Sequence, residues 1–200
     1  GVYQVSGGER AVFTPPNFLD VQAQTKTLAS VGAYDNTAVT LTHAGDPVRL
    51  SAIVVSAGFF ETLQTPPLTG RLLQVADNQP GSTDVTVLSY GLWQSRFGAR
   101  PDMVGQTITL DGRPTLVVGV MPREFAWPEG AELWRPVEYD EAYRATNRGA
   151  WYLSVIGRLA PGASLEQAQA EIATIGAQLE QLHDANKDVG MTVHPLLDAI

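Results

Sequence analysis

Apolar positions along the chain follow two rhythms, one of two residues and one of three to four. Val48, Leu50, Ala52 and Val54 alternate with Arg49 and Ser51, the period of a half-buried strand. Leu165, Ala168, Ile172, Ile175, Leu179 and Leu182 are spaced by three and four. That spacing puts them on one face of a helix about 27 Å long at 1.5 Å per residue. Ser164 precedes the stripe and Gln167 stands three residues on, a capping box in which each side chain meets the other's backbone N–H. Strands predicted at 151–159 and 189–194 flank the helix, so the last fifty or so residues read as a strand–helix–strand unit with the helix packed on a sheet.

Other elements follow from punctuation. Thr14 caps a helix that opens on Pro15 and Pro16 and fades near Lys26. A strand is predicted at 2–5. A meander follows, with strands at 31–34 and 38–42 and a turn at 43–47. Residues 57–63 read as a short helix stopped before Pro66-Pro67. A strand at 84–88 leads into Ser89, which caps a helix over 90–97 that Gly98 ends. Thr107 to Leu110, then Asp111-Gly112, then Arg113 to Val120 is a β-hairpin, because Asp-Gly supplies the positive φ angles of a type I′ turn. Met121-Pro122 ends it. A connector rich in proline and tryptophan comes next (Phe125, Trp127, Pro128, Trp134, Pro136), then a polar loop at 139–149.

Composition narrows the function. The chain has 200 residues, 44% hydrophobic and 17% charged, enough for a packed core and against disorder. The formal net charge is −8, with 13 Lys and Arg scattered, so nucleic acid is excluded as a partner. Without cysteine there are no disulfides, thiolate metal sites or cysteine nucleophiles. No run reaches the roughly 20 apolar residues of a membrane span. The chain opens inside a predicted strand and closes on an apolar run, 196–200, so it is expected to be a piece of a longer protein.

Candidate chemistry is sparse. Ser89 lies at a strand-to-helix turn but lacks the surrounding glycines of a nucleophile elbow, and capping explains it. His43, His183 and His194 form no metal-binding spacing. Glu129 and Glu132 near Trp127 and Trp134 would suit acid–base work on a sugar, against the reading that the tryptophans anchor the connector to the core. Trp127, Trp134 and Trp151 are also the basis of the alternative function, a stand-alone periplasmic ligand- or glycan-binding module. No phosphate loop is present. Catalytic, cofactor and metal residues are therefore expected to be none.

An ordered set of packing motifs carries a resemblance. Val54, Ser56, Gly58, Phe59, Phe60 and Leu63 come first, then Gly70-Arg71. Val85, Val87, Leu88, Ser89, Gly91, Leu92, Trp93, Arg96, Phe97 and Gly98 follow. Val104-Gly105, Ile108, Leu110, Asp111-Gly112 and Val117 to Pro122, with Gly119, continue it. Glu132-Leu133-Trp134, Pro136, Gly157 to Leu159 and Pro161-Gly162 close it. From about Phe13 to Pro195 the chain resembles the MacB-type periplasmic core domain of ABC-transporter permeases, and within it the large permease group common in acidobacteria.

The resemblance implies an α+β fold of two lobes. A porter-like lobe, with helices packed on a β-sheet, would take residues 1–56 and 150–200. An inserted mixed α/β lobe, containing the hairpin, would take 57–149. It implies a non-catalytic domain on the periplasmic side of the inner membrane that couples cytoplasmic ATP hydrolysis to the handling of a substrate or partner. The expected partners are an ABC ATPase subunit or domain, a second permease copy, and a periplasmic adaptor or lipoprotein. The resemblance assigns Phe59, Phe60, Gly70, Arg71, Gly91, Trp93, Arg96, Phe97, Gly98, Asp111, Gly112, Gly119, Pro122 and Trp134 a structural role, and no cofactor.

Overall fold

The computed structural model describes residues 1–6, 9–125, 127–138, 143 and 148–196. Most of the loop expected at 139–149 and the apolar ending at 197–200 lie outside them. The fold is α+β. The strands are β1 (Val2–Ser6), β2 (Glu9–Ala11), β3 (Leu28–Thr42), β4 (Val48–Val55), β5 (Thr69–Gly70), β6 (Val85–Leu88), β7 (Thr107–Leu110), β8 (Arg113–Val120), β9 (Leu133–Pro136), β10 (Ser154–Leu159) and β11 (Val189–Val193). The helices are α1 (Pro15–Gln24), α2 (Gly58–Leu63), α3 (Tyr90–Phe97) and α4 (Leu165–Leu182). The chain divides into two compact units, one of 1–34, 61–63 and 139–200, the other of 35–60 and 64–138. Residues 35–56, expected with the porter-like lobe, group with the second unit.

In the first unit, β11, β1, β10 and the first half of β3 pair in that order, all antiparallel, with β2 beside β1. The α4 stripe buries Ala168, Ile172, Ile175 and Leu179. Gly176 lets α4 approach β11, since a Cβ there would stand 3.1 Å from the backbone N of Met191. The two ends of the stripe behave differently from expectation: Leu165 and Leu182 are exposed, Leu182 at 71%. An 18-residue helix is about 27 Å long, whereas the five-residue β11 spans about 17 Å, so the helix ends overhang the strand. Four polar features support the unit. Asn17 and Asn186 exchange two amide hydrogen bonds while fully buried. Thr14 caps α1 and Ser164 forms its capping box with Gln167. The Glu171 carboxylate of α4 accepts from the hydroxyls of Thr25 and Thr27 and from the backbone N–H groups of Lys26 and Thr27.

In the second unit the pairings close on themselves. Among the described residues the late half of β3 neighbours β4, β4 pairs β9 in parallel, and β9 pairs β6. β6 pairs β8 in parallel, β8 pairs β7, and β7 returns to β3 through Leu41↔Leu110 and Thr42↔Thr109. Six strands thus make a small barrel, which removes the open strand edges an isolated sheet would show. Alternation along each strand fills the interior. Val39 and Leu41, Leu50 and Ala52, and Ile108 and Leu110 join Leu88 and Leu133 in one cluster with Val117 and Val120, which a register shift in β8 brings to the same face, and Leu92 of α3 packs into it.

Three expected elements differ. Residues 31–34 and 38–42 form one strand, β3, with the turn-forming residues Asp35 and Asn36 inside it. This polar stretch falls where the chain leaves the first unit for the second. The strand expected at 151–159 begins only at Ser154. Leu153 makes a single bridge to Phe13, and the partner chain then turns into α1 at Pro15, so the ladder stops. The proline–tryptophan connector hides β9, whose four residues sit between β4 and β6.

Candidate functional site

All fourteen motif residues lie in the second unit. Phe59 and Phe60, on α2, are buried and meet edge to face. Phe59 stacks on Trp127, and Phe60 packs on Phe125 and on Trp134, which is wholly buried in β9. Trp134 thus belongs to an aromatic core and offers no face to a sugar, against the glycan-stacking reading. Pro122 stands two residues beyond the end of β8 at Val120.

Gly70 and Gly119 face each other across β5 and β8. A Cβ on Gly70 would stand 2.3 Å from the Val118 carbonyl oxygen, and one on Gly119 2.2 Å from that of Arg71. Gly70 also has φ +76°, which side chains rarely adopt. Arg71 then turns to Asp77, with Nη1 donating to Oδ2 at 2.6 Å and Nη2 to Oδ1 at 3.0 Å. Burial raises the Asp77 pKa, but Arg71 and the Gln74 N–H outweigh it and hold the carboxyl below its ordinary value. A fork of this kind orients a loop more than it stabilises it, because Arg71 is part exposed.

Ser89 caps α3, accepting from the Leu92 N–H. Its own N–H donates to the Glu132 carbonyl. Glu132 Oε2 accepts from the Ser51 N–H at 2.8 Å, and the Glu132 N–H donates to the Ser51 carbonyl. Ser89 and Glu132 are therefore engaged in structural hydrogen bonds, while Glu129 is exposed. Gly91, Trp93, Arg96 and Phe97 lie on α3, and Gly98 ends it in the left-handed conformation. Asp111 and Gly112 turn the hairpin with φ of 50° and 77°, the two positive angles a type I′ turn needs. His43 lies in the β3–β4 turn, His183 ends α4, and His194 follows β11. Among the described residues no group of three or more His, Asp or Glu is placed to hold a metal ion. No helix of the described chain is long and apolar enough to cross a membrane.

Sequence reasoning missed Asp77, Thr40 and Glu171. Each acts through a partner remote in the chain or inside an irregular loop, and no local pattern marks it.

Comparison with known proteins agrees with this architecture. The chain is similar to the extracellular domain of the noncanonic ABC-type transporter YknZ from Gram-positive bacteria, with TM-score 0.66 and 14% identity over 96% of this chain and 100% of that one. It is similar to the periplasmic region of MacB from Actinobacillus actinomycetemcomitans, with TM-score 0.69 and 16% identity over 99% and 89%. A domain of a putative permease protein from Porphyromonas gingivalis gives TM-score 0.67 and 13% identity over 97% and 86%. No curated protein sequence matches. Residues 1–175 match the MacB-like periplasmic core domain, and the chain belongs to that family.

Proposed function

We propose that this chain is the extracytoplasmic domain of an ABC-transporter permease, held on the outer side of the inner membrane by the rest of its protein. It acts without a catalytic residue of its own. ATP is hydrolysed by a cytoplasmic ATPase subunit or domain, and the transmembrane part carries the resulting motion to this domain. Rigid-body movement of packed units then moves or releases a substrate or partner. The permease works as a dimer, with a periplasmic adaptor or lipoprotein as the further partner. The porter-like role falls to the first unit, where α4 packs on a sheet.

The observation that carries this reading is the family match over residues 1–175. Phe59, Phe60, Gly70, Gly119 and Trp134 support it, since they are spent on close packing: a transmitting body must be stiff. This chain carries no cysteine, so a single one placed in it, with any cysteines elsewhere in the permease replaced, tests placement. Gln178→Cys, on the exposed side of α4, is introduced into the full-length permease. A membrane-impermeant maleimide should label it in intact spheroplasts without lysis. Labelling only after lysis overturns the placement. Replacing the domain by a short Gly/Ser linker should then leave ATP hydrolysis but abolish transport, and unimpaired transport overturns the coupling role.

A further inference from the structure

We propose that a cleft in the second unit, between the C-terminal end of α3 and the start of the β3–β4 turn, binds a small monoanionic carboxylate carried on an apolar body. The cleft encloses about 340 Å³. That is at the lower end of the roughly 300–1,000 Å³ of small-molecule sites. Phe97, Met103 and Ile108 supply an apolar wall. Thr107 and Gln106 add neutral polar groups.

Its charged lining is of one sign. In a chain with 21 acidic and 13 basic residues, the titratable side chains on this cleft are Arg96, Arg100 and His43, with no carboxylate. Arg100 is matched by Asp102 just outside, through two bonds of 3.1 Å to its Nε and Nη2. Arg96 makes no ion pair among the described residues. One unbalanced guanidinium therefore remains, which suits a single negative charge better than a doubly charged phosphate. A guanidinium fork also matches a carboxylate in geometry.

The walls are fixed in advance. Gly98 and Ala99 both take positive φ and turn the chain back after α3. Trp93 Nε1 donates to the Arg100 carbonyl at 2.9 Å and pins the returning loop. On the opposite side His43 is held at φ 61°. A side chain in that conformation costs roughly 1–2 kcal/mol relative to the right-handed region. His43 Nδ1 pairs with Thr42 Oγ1 at 3.2 Å, which orients the ring.

The proposal stands independently of the transport reading, and its test uses the chain itself. 4-Phenylbutyrate is titrated into the protein while the backbone amide resonances of Thr107 and Ile108 are followed by NMR. 4-Phenylbutanol and inorganic phosphate are run in parallel. Saturable shifts are expected with Kd of about 1 mM or tighter, the affinity of a few good contacts. The alcohol and phosphate should bind at least about tenfold more weakly, the worth of one charge-assisted hydrogen bond. Arg96→Gln should weaken phenylbutyrate by about tenfold or more and Arg96→Lys by less. Arg49→Gln, outside the cleft, should leave it unchanged. Ala44→Phe fills the cleft from its other side and should abolish binding with the melt intact. Absence of saturation up to about 10 mM overturns the proposal. So does equal binding to wild type and Arg96→Gln, or equal binding of the alcohol or phosphate.

Discussion

Thr40 and Asp111 hold each other twice. The Thr40 N–H donates to Asp111 Oδ1 at 2.7 Å, and the Asp111 N–H donates to the Thr40 carbonyl at 2.9 Å. The two residues extend the β3–β7 seam by a side chain that imitates a further rung. Asp111→Ala removes the acceptor and also places alanine at φ 50°. It should cost about 1–2 kcal/mol, whereas Asp111→Asn keeps an acceptor and a residue tolerant of that conformation, and should cost less than about 0.5. Urea denaturation measures both. Equal stability of the alanine variant and wild type would remove the seam argument.

Glycine-to-alanine exchange should have opposite signs at two positions. At Gly119 the new methyl carbon would stand 2.2 Å from a main-chain oxygen, and a loss of about 3 kcal/mol or more is expected. Gly91 lies in α3 with nothing nearer than Ser89 Oγ at 4.0 Å. There alanine should stabilise by up to about 1 kcal/mol through helix propensity. Thermal melts of the two variants decide it, and a tolerated Gly119→Ala would contradict the β5–β8 geometry.

Glu171 predicts a pH dependence. Partial burial opposes its charge, but bonds from the Thr27 hydroxyl, the Thr27 and Lys26 N–H groups and the Thr25 hydroxyl prevail. They lower its pKa from 4.5 to about 2. A depressed acid stabilises the fold fully above its unfolded value and loses that contribution as pH falls from 4.5 through 2. Glu171→Gln should therefore be less stable than wild type at pH 7, by about 1–2 kcal/mol after allowing for solvent screening. The gap should shrink between pH 4.5 and 2. A gap constant over that range is the contrary result.

The α4 stripe separates into a buried middle and exposed ends. Ile175→Asp puts a charge at a position 4% exposed and should unfold or aggregate the domain. Leu182→Asp, at a position 71% exposed, should stay within about 0.5 kcal/mol of wild type. Cooperative melting of both at the wild-type temperature would mean that another face of the helix is buried.

Local chemistry was the legible part. Thr14, Ser89 and Ser164 cap helices where the sequence places them, because an N-cap needs only a side chain and the next turn. Asp111-Gly112 fixes its turn for the same reason. The ring of strands was not legible, since its closure joins Thr40 to a residue 71 positions away. Nor was β9: four residues ending on Pro136 carry no period. The two strands expected at 31–34 and 38–42 are one, because Asp35 and Asn36, which favour turns, are overridden by pairing on both halves of β3. The cleft escaped notice because His43 lies far in sequence from Arg96 and Arg100.

The Gly70–Gly119 contact has a consequence for how this sequence can change over time. A clash between side chains can be cured by a second substitution that shrinks the partner. Here the nearest obstacle at each glycine is a carbonyl oxygen of the main chain, which every residue possesses. Mutation at neighbouring positions therefore has nothing to trim. The two glycines form a locked pair with no compensatory route around it, and the β5–β8 joint must be inherited whole or lost.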